Sequence, residues 1–312
     1  MTMTIRERSG RAARALTALL LALALLPGCT VQRLVADSVG DALAVGGDVY
    51  ASDPDVELVG AATPFGLKLM ESVLADTPRH EGLLLALARG FTEYSYAYVE
   101  LPAEALEARD VSAAYAERDR ARRLYLRARD YGLRSLEVTH PDAAARLGAD
   151  PKAAALGFAR RDVPAMYWTA AAWGAAIALG KDDAFLVAGL PAVRALAARA
   201  LELDEGFDAG SLHLLAISLV MSEARPEAER LAAAQEHLAR AVALSGGTLA
   251  APYVSYAEAV SVPTANRAEF DALIAKALAV DAAAAPHARL ANELFQRRAR
   301  ALKARAGELF TE

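Results

Sequence analysis

Along almost the whole chain beyond residue 50, apolar residues recur at three- and four-residue intervals. That is the spacing of amphipathic helices. No stretch alternates apolar and polar residues for long enough to predict a strand. Ser52 followed by Asp55, with Pro54 in the first turn, predicts a helix start and a run to about residue 75. Further helices are predicted at about 80–101, 111–138, 163–179, 183–203, 207–222, 226–244, 250–261, 266–280 and 286–306, with shorter pieces over 141–160. Asn266 and Glu269 have the spacing of a capping box, and Gly180 closes the helix before it. Residues 30–48 read as a short helix or tether ending at Gly46-Gly47.

One helix ending recurs. Ala200-Leu201-Glu202-Leu203-Asp204, Ala241-Val242-Ala243-Leu244-Ser245 and Ala277-Leu278-Ala279-Val280-Asp281 are versions of it, and Val73 to Pro78 is a weaker copy. Small residues at a fixed place in each copy suit helices whose backbones approach closely. The recurrence resembles the tetratricopeptide repeat. The expected fold is therefore all-α, a TPR-like α-solenoid of irregular antiparallel helix pairs, with one domain over 49–312.

The first residues carry an address. Arg6, Arg8, Arg11 and Arg14 precede an uncharged run from Ala15 to Leu26. Twelve helical residues cover about 18 Å, too little for a bilayer core, so the run reads as a secretory signal peptide. Leu26-Pro27-Gly28-Cys29 resembles a bacterial lipobox, and Cys29 is the only cysteine in the protein. Residues 1–28 are thus expected to be removed, Cys29 lipidated, and 29–48 to act as a tether. The mature protein is expected in the periplasm, lipid-anchored to a membrane. Thr30 after the cysteine favours the outer membrane.

Composition narrows the function. With 55% hydrophobic and 23% charged residues the chain is neither disordered nor disulfide-framed. Removal of residues 1–28 leaves 30 basic and 38 acidic side chains. A body that acidic argues against nucleic acid as a partner. The five histidines form no metal-binding pair, so neither metal nor cofactor is expected. No G-x-S-x-G elbow is present, and Gly174 to Lys181 lacks phosphate-loop spacing. No enzyme activity is expected.

Three segments stand out. Val163 to Gly180 has no charged residue but contains Tyr167, Trp168 and Trp173, which predicts a central helix surrounded by others or lining an apolar cavity. Phe91, Tyr94, Tyr98 and Leu101 share a helical face, with Tyr96 on another. Arg118 to Arg134 carries seven arginines interspersed with acids, the pattern of a solvated face. The candidate cavity residues are Tyr94, Tyr98, Tyr167, Trp168, Trp173 and Tyr253, with Lys181 placed to meet an anionic head group.

Several motifs together resemble one family. They are Pro64-Phe65-Gly66-Leu67-Lys68-Leu69-Met70-Glu71-Ser72, Gly90-Phe91-x-x-Tyr94, Arg122-Arg123-Leu124-Tyr125-x-Arg127-Ala128, and the run Asp162 to Gly174 containing Tyr167-Trp168-Thr169-Ala170-Ala171-Ala172-Trp173. Lys181-Asp182-Asp183, Pro252-Tyr253-Val254 and Glu258-x-Val260-Ser261-Val262-Pro263 extend the match. Over roughly 53–310 the chain resembles the T component of TRAP transporters (TatT), periplasmic TPR-like lipoproteins. The resemblance implies a homotrimer that pairs with a periplasmic solute-binding protein. It also implies a cleft or pore through each protomer for a hydrophobic or carboxylated ligand, and no catalytic motif. The competing expectation is a TPR-type lipoprotein scaffold for envelope assembly that binds no small molecule.

Overall fold

The computed structural model describes residues 29–310. The expected signal peptide, residues 1–28, lies outside the described residues. Among residues 29–310 the fold is all-α. The first helices are α1 (Cys29–Val45), α2 (Gly47–Ser52), α3 (Val56–Asp76) and α4 (Glu81–Ser95). A π-turn over Tyr96–Glu100 leads from α4 into α5 (Leu101–Leu106) and the long α6 (Val111–Thr139). Next come α7 (Ala143–Ala149), α8 (Pro151–Leu156), α9 (Val163–Leu179), α10 (Ala184–Val187) and α11 (Leu190–Leu203). Then follow α12 (Ser211–Met221), α13 (Glu227–Leu244) and α14 (Ala251–Tyr256), which runs into a second π-turn at Ala257–Ser261. The chain closes with α15 (Arg267–Ala279), α16 (Arg289–Ala304) and α17 (Ala306–Leu309).

Three expected boundaries shift and one expected capping box forms only in part, each for a local reason. Ser52 does not cap α3. It ends the extra turn α2, and its hydroxyl donates to the Val49 carbonyl. Asp55 is the cap, accepting from the Leu58 N–H at 2.9 Å. The single helix expected over 183–203 breaks at Gly189, because Pro191 has no N–H to continue the ladder and restarts it at α11. The helix expected from 207 begins at Ser211, after a tight turn in which Asp208 and Ala209 are left-handed. The capping box at Asn266 is half formed. Asn266 accepts from the Glu269 N–H, but the Glu269 carboxylate takes the Ser261 hydroxyl instead.

Successive helices pack side by side. α3 packs on α4, α4 on α6, α6 on α9, α9 on α11 and α11 on α12. The series continues through α13, α14, α15 and α16. α16 then packs back against α2 and α3, so the row of helices closes on itself. This architecture is compatible with the expected solenoid of helix pairs. Ala200, Ala241 and Ala277, at the same place in the three repeated endings, are all buried. At the second copy, Gly210 (φ 91°) brings its backbone onto α13, and a Cβ there would lie 3.3 Å from the Ala241 Cα. The charge-free helix α9 is flanked by α4, α6 and α11, with Met166, Ala170 and Ala176 fully buried.

α6 crosses α9 closely at Gly132. A Cβ on Gly132 would lie 2.2 Å from the Thr169 hydroxyl oxygen and 3.2 Å from its Cα. Gly132→Ala is expected to cost about 1–3 kcal/mol by overpacking, although alanine is the better helix former. Denaturant titration of Gly132→Ala against Gly132→Ala/Thr169→Ala checks this, with partial recovery expected in the double variant.

Candidate functional site

One flank of α4 and of the π-turn that follows it carries a polar row. Arg89 and Glu93 on α4, followed by Tyr96 and Glu100 in the π-turn, recur at helical spacing. The opposite flank of α4 carries Leu84, Leu87, Ala88 and Phe91 into the core. Arg89 Nε donates to Glu93 Oε1 at 2.9 Å, and the guanidinium lies 5.7 Å over the Trp168 ring. Tyr167 meets Trp168 edge-on at 4.8 Å and Phe207 at 5.3 Å. Glu93, Tyr167, Trp168, Phe207 and Asp208 therefore converge from α4, α9 and the turn before α12.

Two properties of Glu93 define this space. About half of its side chain is open to solvent (49%). Yet desolvation raises its carboxyl above the usual range, with Asp208 adding and Arg89 opposing. Desolvation also pushes the Tyr167 phenol up, helped by the Asp208 charge.

Farther along the same row the ring is closed by charge. Arg298 on α16 donates from Nε to Glu258 Oε1 at 2.9 Å and from Nη1 to Glu104 Oε2 at 2.5 Å. The Tyr125 hydroxyl donates to Glu100 Oε2 at 2.5 Å, and Tyr96 faces Phe295 with ring centroids 6.0 Å apart. Burial raises the Glu258 carboxyl against the pull of Arg298. It also raises Glu100, against the Tyr125 hydrogen bond. Glu100 and Glu258 sit in the two π-turns, an irregularity that recurs at functional sites. Beside this seam a groove of about 430 Å³ opens between α3 and α16, lined by Val56, Gly60, Tyr98, Leu101, Leu294 and Arg297.

Tyr94 and Tyr98 pair at 5.6 Å, and Tyr98 donates to the Val56 carbonyl at 3.0 Å. Burial pushes the Tyr98 phenol up to about 12. These two tyrosines face α3 and α6, whereas Tyr96 points to α16. Trp173 is apart from Trp168. Its indole wedges against Gly189, where a Cβ would lie 2.3 Å from the ring, and Arg129 covers it at 5.4 Å. Lys181 is exposed in the loop after α9. Tyr253 lies in the C-terminal half under Lys276, at 6.0 Å. The arginines of α6 are largely engaged in pairs within the chain, among them Arg118 with Glu107, Arg122 with Asp119 and Arg127 with Glu71.

Sequence reasoning passed over Arg89, Glu93, Asp208 and Arg298. The available signal was a second polar row on α4, a helix whose other flank is already apolar. Arg298 had no local signal, because Glu104 lies 194 residues away.

A second polar pair joins α12 to α13. His213 and His237 meet through Nδ1 at 2.9 Å, and His213 lies beside Glu205. Desolvation lowers both imidazoles, and for His213 the neighbouring His237 adds to it. The unfolded chain therefore takes up these protons first as pH falls through 6.5, and stability declines on the acid side. His237→Leu is expected to lose less stability than the parent between pH 7.5 and 5.5. Thermal melts of the two proteins at both pH values check this.

Comparisons with known proteins give a family match and a relative of similar length. The family model described as TRAP transporter T-component matches residues 52–310. A protein of Treponema pallidum (strain Nichols), carrying the description "Uncharacterized protein", is 30% identical over 311 residues. The similarity covers 92% of this chain and 95% of that one.

Proposed function

The chain belongs to the TRAP transporter T-component family, and from that premise we propose that it is the lipid-anchored periplasmic accessory subunit of a TRAP-type uptake system. Residues 1–28 are the signal peptide in this reading. Cys29 carries the anchor, 29–48 the tether, and 49–312 the working domain. The protein docks a periplasmic solute-binding protein, assembles as a homotrimer, and takes a hydrophobic or carboxylated ligand into its interior. The outer membrane is the favoured location.

What supports the ligand-handling part is the grouping of Glu93, half open to solvent and paired with Arg89, with Trp168 under the Arg89 guanidinium and Tyr167 and Phe207 beside it. Aromatic walls with a few placed polar groups are the usual make-up of a small-molecule site. Arg89 supplies the fixed positive charge, and Tyr167 supplies a hydroxyl beside it.

Native mass spectrometry of the protein purified from its own host tests the reading. The expected result is a trimer with a bound small molecule that leaves under collisional activation. A ligand-free species that still captures envelope proteins would overturn ligand handling and favour the scaffold.

A further inference from the structure

The outward side of α3 is apolar and unpartnered. Leu58, Ala61, Phe65, Leu69 and Ser72 follow one another at helical spacing, and none of them is charged. Leu58 is 58% exposed and Phe65 74%, while Val56, Val59, Leu67 and Leu74 on the inner side are buried. By length and composition α3 is apolar enough to cross a membrane, yet little of it is covered by the rest of the chain. Further exposed apolar residues lie on the preceding elements. Val45 at the end of α1 is 75% exposed, and Val49 on α2 is 73% exposed. Tyr50 lies against Gly66, its hydroxyl 3.2 Å from where a Cβ would stand. Contiguous apolar patches of this kind mark interaction surfaces.

The tether indicates what covers it. α1 packs on α3 and α4. Its contact is at the corner where α3 ends, with His80 Nε2 3.2 Å from the Asp37 carbonyl and a Cβ on Gly40 reaching the His80 ring. Residues 29–36 extend beyond that contact by about 12 Å of helix. An anchor on Cys29 therefore stands about 12 Å of helix beyond the Ser72 end of the stripe, with Phe65 and Leu58 about 10 and 20 Å farther along α3, and a tethered surface is met at high effective concentration. Charge is confined to the margins of the stripe, with Glu57 at one end and Lys68, paired to Glu71 at 2.6 Å, on its flank. Acyl attachment combined with an amphipathic helix face is a recurrent two-signal membrane contact.

We propose that the outward face of α3, together with Val45, Val49 and Tyr50, rests on the lipid bilayer that holds Cys29. This rests on the membrane anchorage proposed above. The acyl chain then sets the distance from the membrane and the helix face sets the orientation, presenting one side of the ring to partners.

Site-directed fluorescence separates the two ideas. Leu58→Cys, Phe65→Cys and Phe185→Cys are each made in the full chain, processed in the host, and labelled with an environment-sensitive dye. Label mass confirms one dye per protein. Phe185 is 96% exposed on α10, which is not packed on α3, and serves as the control. The purified proteins are reconstituted into phosphatidylethanolamine/phosphatidylglycerol vesicles with or without spin-labelled lipids. The proposal expects blue-shifted emission and quenching by spin-labelled lipid at positions 58 and 65, with neither at 185. Flotation with the vesicles but no quenching at 58 and 65 overturns the docking while leaving the anchorage intact; water or another protein then covers the face. Failure to float overturns both. All three positions are exposed, so the substitutions leave the core untouched. A second readout is slower exchange of α3 amides on vesicles in the unlabelled protein, lost in Leu58→Glu/Phe65→Glu.

Discussion

Arg298→Met is expected to lower the stability of the fold by about 3–5 kcal/mol, the cost of breaking a buried ion pair from one side. Arg298 is only 11% exposed and is shared between Glu104 and Glu258. It joins α16 to segments that precede it by 194 and 40 residues. Desolvation opposes its charge, and Glu258 with Glu104 more than restores it, so the guanidinium is held above its ordinary range. Without Arg298, Glu258 loses its ion-pair partner and Glu104 keeps only Arg305 at 4.0 Å. Urea titration reads the loss as a lower midpoint. The pH response supplies a second check. Glu100 and Glu258 are raised above the unfolded value of 4.5. In the window between that value and their raised pKa values the folded chain holds more protons than the unfolded one. Their contribution to stability thus increases as pH falls through those values and is lost as pH rises. Removing the arginine strengthens this response, so the variant should recover part of its deficit between pH 7 and 5. An equal deficit at both pH values would show that packing, rather than charge, is what Arg298 provides.

Trp168→Ala and Trp173→Ala should fail in opposite ways, although the residues are five apart on one helix. Trp168 lies under Arg89 in the proposed ligand site. Its removal is expected to weaken ligand retention about tenfold or more, equivalent to about 1.4 kcal/mol or more, with the fold intact. Trp173 is packed against Gly189, so its removal opens a void between helices and should cost about 3–5 kcal/mol in stability. Ligand occupancy by native mass spectrometry, beside urea midpoints for both variants, reads the two effects. If Trp168→Ala keeps its ligand, the wall of the site has been assigned to the wrong tryptophan.

Much of the fold was legible in the chain. Ala200, Ala241 and Ala277, small residues at one place in the repeated endings, are all buried between helices. The absence of charge from 163 to 180 placed α9 among other helices, since such a segment has no side to turn towards water. The seven arginines of α6 stood among acids at three- and four-residue spacing, the pattern of a paired surface. Boundaries were less legible where tertiary demands override local preference. The π-turns at 96–100 and 257–261 have no residue signature, and each adds a residue to its turn. Asp208 and Ala209 adopt left-handed backbones that L-residues avoid, held there by the packing of Gly210 on α13.

By itself the sequence determined the helix content, the recurrence of helix endings, the apolar run before Cys29 and the family to which the chain belongs. Each of these is written in residue spacing or in short motifs, and is set by neighbours a few positions apart. Only the tertiary structure decided which polar residues meet. Arg298 finds Glu104, Glu57 finds Arg297 across 240 residues, and Arg89, Glu93 and Trp168 share one wall. Such meetings depend on the closure of the ring, the sum of many small helix-crossing angles that no local stretch of sequence encodes. For the same reason Tyr96, Tyr98, Trp168 and Trp173 look alike along the chain and have different surroundings in the folded protein.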